Sequence, residues 1–264
     1  MTTRPTVRPT VPLEKSPERI SGMFDAIAPR YDLLNRVLSA GIDRYWRARA
    51  IRSLAMPPGA VLLDVCCGTA DVGLQARAAG AVDRVVGVDF AGAMLRIGHA
   101  KVLRAAESGR ISLLRGDATR LPSASGSVDG VTVAFGIRNV QRPEAACCEM
   151  ARVLKPGGRL AILEFGEPIV PALAVLYRWY FRNVLPLIGR LVSGHGVAYS
   201  YLPASVSTFP SPEVFSGMLR DAGFVDVRAV PLTLGIVYLY TACVPTPLQG
   251  VTEVSQGRGS TRDL

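Results

Sequence analysis

The chain has little of what metal and redox sites are built from. In 264 residues there are two histidines, and no Cys-x-x-Cys or Cys-x-x-His spacing occurs. The five cysteines stand at positions 66, 67, 147, 148 and 243, an odd number that falls in two adjacent pairs. Neighbouring cysteines rarely bridge one another, so neither a disulfide framework nor a zinc site is expected, and no metal is assigned. Free thiols of this kind behave as small apolar side chains. No segment reaches the roughly 18 uninterrupted apolar residues of a membrane span. The opening MTTRPTVRPTVPLEKSPE has no apolar core of the kind a secretory signal carries. A cytoplasmic protein is the expectation.

Lysine is also scarce: three occur against 27 arginines, within a formal net charge of +9. Residues 1–60 hold ten basic and five acidic side chains, and residues 168–210 hold three arginines and no acid. The positive excess therefore lies on two flanking segments. An anionic membrane surface suits that distribution. No base- or ribose-modifying motif accompanies it, so nucleic acid is not assigned as a partner. With 49% apolar residues the chain has ample material for a core.

From Val61 short apolar runs alternate with helical patterns. VLLDVC (61–66), RVVGVD (84–89), ISLLRGD (111–117), VDGVTVAF (128–135) and RLAILEF (159–165) read as strands. Helices are expected over 71–79, 91–108 and 143–154, the last closed by Lys155-Pro156-Gly157-Gly158. Buried strands alternating with helices predict an α/β, doubly wound, mostly parallel sheet. FVDVRAVPLT and GIVYLYTACV add two strands, with Gly235 at an antiparallel reversal. Residues 1–19 and 245–264 read as disordered ends around one domain, 20–244. Within it, 20–56 forms N-terminal lid helices, and the apolar, arginine-bearing insertion 168–210 forms a helical cap.

The turn after the first strand carries the chemistry. LLDVCCGTAD runs from a strand through small residues into a helix, an arrangement that brings backbone N–H groups to a nucleotide. Only Gly68 is glycine among the tight positions, so the G-x-G-x-x-G of a dinucleotide site is absent. Asp64 before the turn favours a cationic ligand over a pyrophosphate. S-adenosylmethionine, with an ammonium and a sulfonium, fits best. Asp89, 21 residues after Gly68, is placed for ribose hydroxyls; Asp117 and Ala118 end the third strand, where adenine can be read. Cys66 sits against the cofactor and Cys67 points into the core. Thr69 and Phe90 complete the turn-side cofactor set.

FDAIAPRYDLLNRVLSAGIDRYW (24–46), LDVCCGTAD, AFGIRNV (134–140), RVLKPGGRLAILEF (152–165) and VLPLIGRLVSGHGVAYSYLPASVSTFP (184–210) together resemble the ubiquinone/menaquinone biosynthesis C-methyltransferase family. The likeness spans roughly residues 20–243. It departs from the family pattern at Asp43, Ala70, Gly166 and around His195. It implies a seven-stranded, Rossmann-like class I methyltransferase fold and methyl transfer from S-adenosylmethionine to the ring of a reduced prenylated quinone, demethylmenaquinol favoured. Arg138 and Asn139 are then the catalytic pair: Arg138 stabilises a phenolate, and Asn139 holds a hydroxyl or the cofactor. Tyr31, with Asp32 and Asn35, belongs to the lid; Tyr31 contacts the cofactor, and Asn35, Tyr199 and Tyr201 line the ring pocket. Arg178 and Arg182 face lipid headgroups at the inner face of a membrane. A homodimer interface is the alternative use of that surface. Other aromatic acceptors, and a non-catalytic subunit that only binds the cofactor, are the competing functions.

Overall fold

The computed structural model describes residues 15–180, 183 and 196–246. Seven strands form one sheet, β1 (Val61–Val65), β2 (Arg84–Asp89), β3 (Ile111–Arg115), β4 (Val128–Ala134), β5 (Leu154–Phe165), β6 (Val225–Leu232) and β7 (Val237–Cys243), in the order β3-β2-β1-β4-β5-β7-β6. β1 to β5 run parallel. β7 lies antiparallel to both β5 and β6. Order reverses between β1 and β4, and the crevice outside the carboxyl ends of those strands is where such sheets bind ligands.

The helices are α1 (Pro17–Leu38), α2 (Asp43–Ser53), α3 (Asp71–Ala78), α4 (Gly92–Arg104), α5 (Pro143–Val153), α6 (Pro171–Trp179), α7 (Gly196–Ser207) and α8 (Pro212–Asp221). One apolar layer, with Val131, Ile162, Met150, Phe215 and Leu219, fills the space between the sheet and α5 and α8. A second, with Leu62, Val85, Ala161, Trp46 and Ile51, fills the α2–α3 side. Because β1 is buried on both faces it reads as a continuous apolar run rather than an alternation. Cys67 lies in that second layer, its Sγ 2.9 Å from where a side chain on Gly87 would begin. Among the described residues, no helix is long and apolar enough to cross a membrane.

Several expected boundaries move. α1 starts at Pro17, inside the segment expected to be disordered, because Pro17 occupies the first helical position with Glu18 in the first turn. α4 stops at Arg104, and Ala106 takes a left-handed φ of 56° that ends it. The Lys155–Gly158 step is not a break before a strand. It lies inside β5, where the register with β4 shifts between Val128 and Gly130 and Gly157 turns through φ 76°. The step is thus an irregularity within the strand. Of the expected cap, α6 and α7 are described, whereas Arg182, His195 and the side chain of Tyr199 lie outside the described residues. Of the expected disordered ends, residues 1–14 and 247–264 lie outside them too.

Candidate active site

Two adjoining cavities open at the carboxyl ends of the parallel strands, and they share Phe24, Tyr31 and Phe135 as walls. The backbone there is unusual. Cys66 (φ 56°) after β1, Ala70 (φ 67°) before α3 and Phe135 (φ 59°) after β4 all adopt the left-handed region without being glycine. Each such residue costs about 1 to 2 kcal/mol, and such conformations gather at binding sites.

The first cavity is lined by Cys66, Gly68, Asp89, Phe90, Asp117, Ala118 and Asn139 among others, and is covered by Lys15, Ser21, Phe24 and Tyr31 from the N-terminal segment and α1. Gly68 has φ 54°, and a Cβ placed there would meet no atom within 4 Å, so its backbone faces open space. Its N–H donates to Asp89 Oδ2 at 2.7 Å, while Asp89 Oδ1 accepts from the Ala91 N–H at 2.8 Å. Each carboxylate oxygen keeps a lone pair for a diol. Burial pushes the Asp89 carboxyl up, and the amides of Ala91, Gly68 and Phe90 pull it back. Asp117 Oδ1 accepts from the Thr119 N–H at 2.8 Å, fixing the turn that ends β3. Asn139 Oδ1 is buried without a hydrogen-bond partner. An open glycine turn, a half-used carboxylate and an orphan acceptor are what a ribose- and amine-bearing ligand would complete, and S-adenosylmethionine fits them. Burial, with Asp89 next, pushes the Cys66 thiol well up, which leaves it a weak nucleophile.

Two residues expected at the cofactor sit elsewhere. Asp64 is buried beneath the turn and does not line the cavity. Thr69 turns away into a latch: its hydroxyl donates to Asp32 Oδ1 at 2.6 Å and accepts from Lys101 Nζ at 3.0 Å. Lys101 also meets Asp32 Oδ2 at 2.9 Å and pairs with Asp71. The alternation of β1 explains Asp64: its neighbours Leu63 and Val65 face the opposite layer.

The second cavity has a volume of about 460 Å³ and an apolar lining. Trp46, Phe135 and Phe165 form one wall, with Phe135 and Phe165 centroids 4.7 Å apart and Trp46 5.9 Å from Phe135. The Trp46 indole N–H donates to Thr233 Oγ1 at 2.8 Å. Leu173, Leu176, Tyr177 and Trp179 of α6 and Tyr201 of α7 form another wall, and Ile27, Leu34 and Leu38 of α1 a third. The polar residues in the lining include Tyr31, Asn35, Arg138 and Tyr201, besides the Asp43–Arg47 pair. The Tyr31 hydroxyl is in hydrogen-bond contact with Asn35, and burial raises its pKa. Burial likewise raises Tyr201, whose hydroxyl has no hydrogen-bond partner. Arg138 is 6% exposed. Its Nη1 lies 2.8 Å from Glu164 Oε1, it also donates to the Phe135 carbonyl, and its guanidinium lies 5.4 Å from the Phe165 ring centroid.

The structure thus separates the expected catalytic pair, Asn139 lining the first cavity and Arg138 the second, one residue apart on the 3₁₀ turn Ile137–Asn139. Sequence reading missed Glu164, Tyr177 and the aromatic wall. Glu164 lies within a motif that was singled out, but only the fold places it behind Arg138, 26 residues away.

Residues 13–244 match the model of the ubiE/COQ5 methyltransferase family. The chain belongs to that family. It is 52% identical over 225 residues to the ubiquinone/menaquinone biosynthesis C-methyltransferase UbiE of Syntrophotalea carbinolica, covering 85% of this chain and 94% of the relative. It is 44% identical over 223 residues to the demethylmenaquinone methyltransferase of Thermus thermophilus, covering 84% of this chain and all of the relative. Among solved structures, the [4+2]-cyclase SpnF superposes with a TM-score of 0.65 at 18% identity, over 88% of this chain and 97% of that one. An S-adenosylmethionine-dependent methyltransferase from Aquifex aeolicus gives 0.55 at 17% identity, over 87% and 98%. Those two likenesses establish the class I methyltransferase fold.

Proposed function

We propose that this member of the family transfers a methyl group from S-adenosylmethionine to a ring carbon of a reduced prenylated quinone, with demethylmenaquinol the favoured acceptor. The observation that carries the reading is the second cavity: an aromatic-walled, largely apolar chamber that adjoins the cofactor crevice and has the buried Arg138 in its lining. The names of the relatives, methyltransferases of ubiquinone and menaquinone synthesis, point the same way.

S-adenosylmethionine, when bound, would supply an electrophilic methyl group and leave as S-adenosylhomocysteine, and the methylated ring carbon would lose its proton to water. The chain's residues do the rest. Asp89 and Asn139 hold the cofactor, Asp117 and Ala118 border its adenine end, and α1 excludes water from above. Phe135 and Phe165 set the plane of the quinol ring. A quinol hydroxyl has a pKa near that of a phenol, about 10, and its anion is the form that makes the neighbouring carbon nucleophilic. Arg138 stabilises that anion, and the hydroxyl of Tyr201 holds a ring oxygen. Tyr31 and Asn35 sit where the two chambers meet. In a dry cavity such fixed donors act more strongly than in water.

The mouth of the second cavity supports a membrane-bound substrate. Val175, Leu176 and Trp179 on α6 are 56–62% exposed, and Leu33, Val37, Ile42 and Tyr45, on α1, α2 and the turn between them, are exposed apolar side chains too. Arg36, Arg44 and Arg178 are exposed beside them. A cytoplasmic protein lying on the inner face of the membrane by this rim would take the prenyl tail directly from the bilayer.

The test is methyl-labelled S-adenosylmethionine with reduced demethylmenaquinone and, separately, a demethylated ubiquinol precursor, followed by mass analysis of the lipid extract. Label on a ring carbon of the first is the expected result. Cofactor binding without transfer to either would overturn the proposal.

A further inference from the structure

The mechanism above uses the Arg138 guanidinium but not what stands behind it. Glu164 is fully buried at the end of β5 and does not line either cavity. Both of its oxygens are engaged by one short stretch of chain and by its own neighbour. Oε1 accepts from Arg138 Nη1 at 2.8 Å and from the Phe165 N–H at 2.9 Å, and Oε2 accepts from the Arg138 N–H at 3.2 Å. The carboxylate therefore grips Arg138 by its backbone and by its side chain at once. The Phe135 carbonyl takes Nη1 as well, and the Phe165 ring lies against the guanidinium. The side-chain contacts of Arg138 act on Nη1 or on one face of the guanidinium. Arg138 Nε is left buried without a hydrogen-bond partner.

A buried donor without a partner is costly, and an arginine on a flexible stem would ordinarily turn to satisfy it. Glu164 prevents that turn. It also cancels the arginine's charge locally, so that the cavity presents a fixed N–H donor rather than an isolated cation. A neutral, apolar ring can then enter, and the donor gains strength only as negative charge develops on the ring oxygen. We infer that Glu164 is the positioning residue of this site, holding Arg138 so that its guanidinium is directed into the second cavity at the quinol oxygen. The inference rests on the quinol reading of the second cavity.

Two variants and two readouts test it. Glu164→Gln keeps the shape and removes the charge; Glu164→Asp keeps the charge and withdraws it by one methylene. The first readout is turnover with reduced demethylmenaquinone. Glu164→Gln should lower kcat by about 100-fold, with the cofactor dissociation constant held within about twofold. Glu164→Asp should fall between it and the native protein. Combining Glu164→Gln with Arg138→Lys should add little to the loss caused by either alone, since both remove one unit. The second readout needs no substrate. In protein labelled with nitrogen-15 at arginine, the buried Arg138 Nε–H should give a solvent-protected resonance, identified by its loss in Arg138→Lys, that disappears or shifts in Glu164→Gln and Glu164→Asp.

A lower melting temperature with kcat and the resonance unchanged would overturn the inference and leave Glu164 a purely structural partner. Breaking a buried pair is strongly destabilising, so if Glu164→Gln does not fold, Glu164→Asp carries both readouts. If the native protein methylates neither quinol, the proposed function falls, and the resonance still decides whether Glu164 orients Arg138.

Discussion

Asp64 is buried in β1, and neither of its carboxylate oxygens has a hydrogen-bond partner. Burial first, and the charge of Asp89 next, push its pKa from 3.8 to about 8; the Arg47 charge offsets only part of this. Below about pH 4 the group is protonated both folded and unfolded, and costs nothing. As pH rises from about 4 to about 8, the unfolded chain ionises freely while the folded chain holds its proton, so stability falls through that window and levels above it. Asp64→Asn should flatten the fall, with a melting temperature that exceeds the native value by more at pH 8 than at pH 5. Parallel melting profiles for the two proteins would contradict this. The register partner Thr132, on β4, also carries a buried hydroxyl without a partner, so the middle of the sheet concentrates unmet polarity beneath the cofactor turn. That polarity was not legible in the sequence. An acid at a strand end reads equally well as a ligand contact or as a buried group, and only the packing of both faces decides.

At the scale of elements, the lid is held by side chains distant in sequence. Asp25 of α1 accepts from the Ala93 N–H in the first turn of α4 at 2.7 Å, and Asp32 of α1 is held by Lys101 and Thr69. Both contacts fasten α1 over the cofactor cavity. Lys101→Met leaves Asp32 and Asp71 facing each other without their shared cation, and should weaken S-adenosylmethionine binding by about tenfold. Titration calorimetry would read this, and an unchanged dissociation constant would remove the latch from the account. The strands β1, β2 and β4 were legible almost to the residue, because a strand buried on both faces is a short apolar run with turn residues at each end. The antiparallel pair β6–β7 was legible from Gly235, whose φ of 89° makes the reversal. Asn35 and Tyr201 were placed at the ring pocket by their motifs, and Tyr31 at the cofactor, whereas it walls both cavities. The latch, the Trp46–Phe135–Phe165 wall and Glu164 were not, since each joins segments between 26 and 119 positions apart and no local spacing records such contacts.

Among the described residues, exposed apolar side chains and arginines occur together on the elements that wall the second cavity. The α1–α2 turn and α6 both border its mouth, and both carry exposed apolar side chains next to arginines. Replacing Leu176 and Trp179 together by serine should reduce co-sedimentation with vesicles rich in phosphatidylglycerol by at least about threefold, because each removes an exposed apolar group available for insertion. Cofactor binding in solution should persist. Equal sedimentation of the two proteins would assign the rim to contact between copies of the chain or to no contact at all. The central claim is that one chain holds methyl donor and quinol at once, in chambers that share Phe24, Tyr31 and Phe135. Its most direct test is equilibrium binding of reduced demethylmenaquinone, followed by quenching of tryptophan fluorescence, with and without saturating S-adenosylhomocysteine. Binding of the quinol to the cofactor-loaded protein, with equal or higher affinity than to the free protein, is the predicted result. Mutual displacement, each ligand expelling the other, would contradict the account.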